Sequence, residues 1–114
     1  MYWLDVNEIE VMAGRVWTRL RRPLRAVPIL ERAVAGYRPD TGRETALYLS
    51  WLAESLLQAN EIDRAAETAL EALRLSRRAG SKRADDRVKL LRHQLAAHHG
   101  NTAVDAFTSE ADEA

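Results

Sequence analysis

The sequence contains no cysteine. That excludes disulfide frameworks, thiolate metal sites and cysteine nucleophiles, and it fits a compartment where disulfides do not form. No apolar run approaches the roughly 20 residues of a membrane-spanning helix. The opening Met1-Tyr2-Trp3-Leu4-Asp5 lacks the basic stretch and apolar run of a secretory leader, so a cytoplasmic location is expected. An excess of one charge is missing too, because 17 Lys and Arg residues balance 17 Asp and Glu residues. The chain therefore carries no global pull towards nucleic acid or an anionic membrane. Alternation with period two is absent over any useful length, which argues against a sheet.

What remains is helical periodicity in a chain of 114 residues, enough for one domain. Five helices are expected, at about 5–20, 24–37, 43–59, 64–79 and 83–98. The first places Ile9, Met12, Ala13, Val16, Trp17 and Leu20 at helical spacing, with Asp5 or Asn7 as its cap. The second carries Ala26, Val27, Leu30, Ala33 and Val34, with Pro28 in its first turns. The third places Leu49, Leu52, Ala53 and Leu56 on one face, thickened by Ala46, Tyr48 and Trp51. The fourth follows Asp63 as a cap and carries Ala65, Ala66, Ala69, Ala72, Leu73 and Ser76. The fifth rests on Val88, Leu91 and Leu95. Punctuation falls at Arg21-Arg22-Pro23, Arg38 to Gly42, Asn60-Glu61 and Gly80-Ser81. Residues 100–114 are sparse and acidic, and are expected to form a flexible tail with a short turn around Val104 and Phe107.

Small residues repeat across the first two hairpins. Gly14 is followed twelve residues later by Ala26, and seven after that by Ala33; Ala53, Ala65 and Ala72 keep the same intervals. The two sets lie thirty-nine residues apart. Closely packed helices need small side chains where their axes approach, so Gly14 is expected on Ala26, and Ala53 on Ala65. This pattern resembles the tetratricopeptide repeat family, over two repeats at about 7–38 and 43–79. The spacing exceeds that family's period of about 34, and Glu10 stands where a large apolar residue is usual. The fifth helix fits the same template, with Arg92 at the position of Gly14 and Ala53. Without a partner helix it needs no small residue there, so Arg92 is expected to face water while the helix caps the stack. The resemblance implies an all-α fold: antiparallel helical hairpins stacked as a short right-handed superhelix with a C-terminal capping helix, in a domain of residues 1–99.

No constellation points to catalysis, to a cofactor or to a metal, and the chain is expected not to be an enzyme. His93 and His98 are five residues apart, poor spacing for two ligands on one helical face. Asp85 and Asp86 read as first-turn carboxylates, no glycine-rich turn joins a strand to a helix, and the serines lack a nucleophile elbow. Two basic clusters stand out: Arg15, Arg19, Arg21, Arg22 and Arg25, and the set from Arg74 and Arg77 through Arg78, Lys82, Arg83, Arg87 and Lys89 to Arg92. They read first as solvated helix faces. A nucleic-acid-associated module using these basic faces is the alternative, although direct DNA binding is not expected without a helix-turn-helix.

The resemblance implies a groove lined by the first helix of each hairpin and receiving a protein or peptide. Its candidates are Val11, Arg15, Thr18 and Arg19, then Ser50, Glu54, Leu57 and Gln58, then Lys89 and His93. A narrower resemblance lies in Ala46 to Ala53 with Ile62 to Ala66, and in Asp86 to Leu95 with Val104 to Phe107. These stretches look like the C-terminal sensor region of actinobacterial transcriptional regulators, which implies an interaction part of such a regulator or a truncated relative. Tyr2, Trp3 and Leu4 are expected to form a face that packs on its own chain, on an upstream repeat or on a second copy as a homo-oligomer. No membrane partner is expected.

Overall fold

Abundant alanine, few breakers and apolar stripes at 3.6-residue spacing leave the chain one way to bury its surface, as helices packed on helices. A computed structural model describes residues 6–36 and 42–113, with side chains from Ile9 onwards. The helices are α1 (Val6–Arg19), α2 (Pro23–Ala35), α3 (Gly42–Gln58), α4 (Ile62–Ala79), α5 (Lys82–Leu95) and α6 (Thr102–Ala111), with a 3-10 turn at Ala96–His98 after α5. No strand forms among the described residues. Tyr2, Trp3, Leu4, Asp5 and the turn at 38–41 lie outside the described residues, and Asn7 falls inside α1 rather than ahead of it.

Residues Ala46 to Ala53, with Ser55 and Leu56, are all buried. A helix apolar on every side belongs in the centre, and α3 packs on α1, α2, α4 and α5. It supplies Leu47, Tyr48, Trp51, Leu52 and Leu56 to one core, shared with Val11, Ala26, Val27, Leu30 and Ala33. It supplies Leu49 and Ala53 to a second, shared with Leu73, Val88, Leu91, Leu95, Val104 and Phe107. The expected stripe of α4 is buried throughout, and Gly80 closes that helix in the left-handed conformation at φ 66°.

Four expectations change. The first concerns α1: Ile9, Met12, Val16 and Leu20 are exposed, while Val11 and Thr18 are buried and Gly14 lies under Leu30. Both neighbours of α1 lie on the Val11–Gly14–Thr18 side, so the stronger apolar stripe points away from the core. The second concerns Gly14, whose vacant side-chain space is filled by Leu30: an added Cβ would stand 2.5 Å from Leu30 Cγ. Leu30 is one turn beyond the Ala26 expected there. The third is Asp63, which lies within α4 and accepts a bond from Asn101 Nδ2 at 2.7 Å instead of capping its own helix.

The fourth is the tail. Residues 102–111 form α6, capped by Asn101, which accepts from the backbone N–H groups of Ala103 and Val104 at 2.9 and 3.1 Å. Phe107 and Val104 are buried against α4 and α5. The thirty-nine-residue offset continues into this helix, with Arg92, Val104 and Ala111 standing where Ala53, Ala65 and Ala72 stand. Arg92 and Val104 are too bulky for a close approach, and α6 accordingly rests mainly on α4 and much less on α5. Arg92 faces water as expected, its side chain 42% exposed, and there it grips Asp112 through two hydrogen bonds of 2.7 and 2.9 Å.

Candidate binding face around Trp51

The α1, α3 and α5 helices turn one side towards a common face, and at its centre Trp51 is almost fully buried. Three guanidinium groups lie over its ring: Arg15 and Arg19 from α1 at 5.0 and 5.4 Å from the centroid, and Arg87 from α5 at 3.7 Å. The negative face of the indole attracts each cation, by about 0.5–1 kcal/mol where water has access. Helical spacing explains the arrangement, since Arg15 and Arg19 are one turn apart on α1.

Arg87 is the anchor. It donates to Glu54 Oε1 at 2.7 Å, to Ser50 Oγ at 3.2 Å and to the Ser50 carbonyl at 3.3 Å. Burial lowers its pKa from the ordinary arginine value, Glu54 opposes that shift, and the Arg15 and Arg19 charges add to it. Gln94 donates to the other Glu54 oxygen at 3.4 Å, and Gln58 donates to the Thr18 carbonyl at 3.0 Å. A cleft of about 170 Å³ opens between Arg21, Glu54, Leu57, Gln58 and Gln94. The Gln58 and Gln94 side-chain oxygens beneath it are buried without a protein hydrogen-bond partner among the described residues.

The charge does not balance. Glu54 pairs with Arg87, whereas Arg15 and Arg19 form no ion pair among the described residues. Among the described residues the face therefore carries two uncompensated cations beside a mainly polar cleft, an arrangement that attracts carboxylates.

Of the candidates from sequence, Arg15, Arg19, Glu54, Leu57 and Gln58 come together here. Val11, Thr18 and Ser50 do not line it, being at most 2% exposed. Packing of α1 on its neighbours buries Val11, and the Thr18 and Ser50 hydroxyls turn back to the carbonyls of Gly14 and Leu47. Lys89 and His93 are exposed on α5, with Lys89 3.5 Å from Asp85 of its own helix. Their place is taken by Arg87 and Gln94, which sit one position outside the buried Val88 and Leu95. Edge positions beside an apolar stripe were the available signal for both.

The second basic cluster is largely spent within the fold. Arg74 holds Glu110 at 2.7 Å, Arg77 donates to the carbonyls of Glu110, Ala111 and Glu113, and Arg92 holds Asp112. Among the described residues, no group of His, Asp and Glu side chains is placed to hold a metal ion, and no helix is long and apolar enough to cross a membrane. Comparison with protein-family models, with curated proteins and with solved structures returns no match to this chain.

Proposed function

We propose that this chain is a non-enzymatic, cytoplasmic binding module of the tetratricopeptide type. Its three hairpins would stack as a right-handed superhelix whose α1–α3–α5 face takes an extended protein segment bearing a carboxylate. The observation that carries the proposal is the pair of unbalanced cations, Arg15 and Arg19, at Trp51. A carboxylate reaching them gains charge-assisted hydrogen bonds. The neighbouring cleft supplies apolar contact at Leu57 and acceptor capacity at Gln58 and Gln94, which a small amide rotation would turn towards peptide N–H groups. The continued offset into Val104 and Ala111 supports a third hairpin. The likeness of residues 46–66 to sensor regions of actinobacterial regulators supports a regulatory setting, in which this module would receive the signal.

Nucleic acid is the weaker reading, because Arg74, Arg77, Arg87 and Arg92 are already engaged by carboxylates or carbonyls of the same chain. Peptide arrays with and without acidic side chains, read through tryptophan fluorescence and anisotropy, test the proposal. Preference for acidic peptides, lost on Arg15→Glu with Arg19→Glu, is the expected result. Binding that ignores peptide charge and both substitutions would remove this face from consideration.

A further inference from the structure

Gln58 and Gln94 each have one end of the amide engaged. Gln58 Nε2 donates to the Thr18 carbonyl at 3.0 Å, and Gln94 Nε2 donates to Glu54 at 3.4 Å. Those acceptors fix which way each amide points, because an amide oxygen turned to a carbonyl or a carboxylate would be repelled. The two Oε1 atoms are what each amide has left to offer, and both are buried without a protein partner among the described residues. The two amides are neighbours: Gln58 follows Glu54 by one turn of α3, and Gln94 is bonded to Glu54. A buried acceptor left unpaired is costly, so two of them on side chains lining one cleft mark a place for hydrogen-bond donors.

Arg21 lines the same cleft, and its guanidinium forms no ion pair among the described residues. The chain reversal after α1 puts it there. Arg21 stands at φ 58°, and its backbone N–H donates to the same Thr18 carbonyl that Gln58 uses. The cleft thus presents two neutral acceptors and one cationic donor. An ammonium or guanidinium entering it would meet Arg21, while the Glu54 charge is already taken by Arg87. A carboxylate would suit Arg21 but has no hydrogen for either glutamine oxygen. A hydroxyl has only one. A primary carboxamide supplies two N–H hydrogens from one nitrogen and a carbonyl acceptor beside them, which matches the count. The cleft volume of about 170 Å³ falls below the roughly 300 Å³ at which pockets for whole small molecules begin. A side chain on a bound segment fits that size.

We propose that this cleft is a subsite for the primary carboxamide of an Asn or Gln side chain. The Gln58 and Gln94 oxygens accept from its NH₂ group, and Arg21 donates to its carbonyl. The subsite rests on the reading of the α1–α3–α5 face as peptide-binding and adds a second requirement to it. Arg15 and Arg19 select for charge, whereas the cleft selects for a neutral group that both donates and accepts.

Nitrogen-15 spectra that resolve the Gln58 and Gln94 side-chain amides test the subsite with small probes. N-acetyl-asparagine methylamide and N-acetyl-glutamine methylamide separate the two side-chain lengths, and their side-chain N,N-dimethyl forms keep the carbonyl but lack the N–H hydrogens. At least one carboxamide probe should move both glutamine signals, and its dimethyl form should not. Arg21→Gly keeps the turn, because glycine accepts a positive φ readily, and should weaken the response about tenfold. An acidic peptide free of Asn and Gln, run alongside, reports on the charged face by itself. Its failure to bind, with the carboxamide response intact, removes the acidic-segment reading and leaves a carboxamide site. Silence of both glutamine signals up to the solubility of either carboxamide probe overturns the proposal. So do equal shifts from the dimethyl forms, or a response that survives Arg21→Gly and Gln94→Leu unchanged.

Discussion

The Arg87 guanidinium sits 3.7 Å from the centre of the Trp51 ring, a cation laid on the indole that α3 places at the middle of the binding face. The same guanidinium reaches Glu54 at 2.7 Å, and the two charged side chains are only 13% and 16% exposed. The contact joins α5 to α3 and fixes the floor on which Arg15 and Arg19 rest.

Breaking that pair from one side should therefore be costly. Glu54→Gln leaves a buried guanidinium without its counter-charge and is expected to destabilise the fold by about 3 kcal/mol. Adding Arg87→Leu to Glu54→Leu should cost much less than the two single changes combined, because neither charge is then stranded. Urea denaturation of the four proteins in the cycle gives the coupling directly.

Gly14→Ala should destabilise, although alanine is the better helix former by about 1 kcal/mol. Its Cβ would fall 2.5 Å from a branch-point carbon, Leu30 Cγ, which cannot swing aside as a chain end would. The overpacking penalty of about 1–3 kcal/mol outweighs the propensity gain. Shortening the neighbour, in Gly14→Ala with Leu30→Ala, should recover part of the loss expected from adding the single variants. Thermal denaturation checks both the sign and the recovery.

Phe107→Ala is expected to cost about 3–5 kcal/mol, since that ring is wholly buried. Leu24→Ser, at a side chain 88% exposed, should stay within about 0.5 kcal/mol of the parent. A Phe107→Ala protein as stable as the Leu24→Ser control would remove α6 from the folded core.

Much of this was legible in the sequence. α2 to α5 fall within two or three residues of their expected bounds, because Pro23, Asn60 and Gly80 mark real chain reversals and α4 is buried along its whole expected stripe. α6 was hidden because just two large apolar residues, Val104 and Phe107, carry its packing. The acids that read as a tail are in fact its docking groups. On α1 the pattern held two apolar lines, and periodicity alone favours the longer one. Which line faces inward is decided by where α2 and α3 lie. At the binding face, the offset template selected Lys89 and His93, but the reach of an arginine side chain brought in Arg87 instead.

Acid should loosen α6 first. Hydrogen bonds from Arg74 and Arg92 hold the Glu110 and Asp112 pKa values below the ordinary 4.5 and 3.8. Carboxylates depressed in the folded state stabilise it fully above their unfolded values. That contribution fades as pH falls below those values and is gone beneath the folded ones. Amide protection in α6, taken relative to the intrinsic exchange rate at each pH, should therefore fall below about pH 4.5, ahead of α3. Arg74→Gln with Arg92→Gln should flatten the dependence, and so should high salt, because these pairs face water.

The central position of α3 sets how the molecule can come apart. Its residues wall both cores at once, so neither end of the chain owns a separable core. Repeat arrays with even coupling lose units from their ends one at a time. Here α1 and α6 can fray, but the amides of Ala46 to Leu56 can reach solvent only through complete unfolding. The slowest-exchanging amides should thus report the global stability, and they should cluster in this one helix.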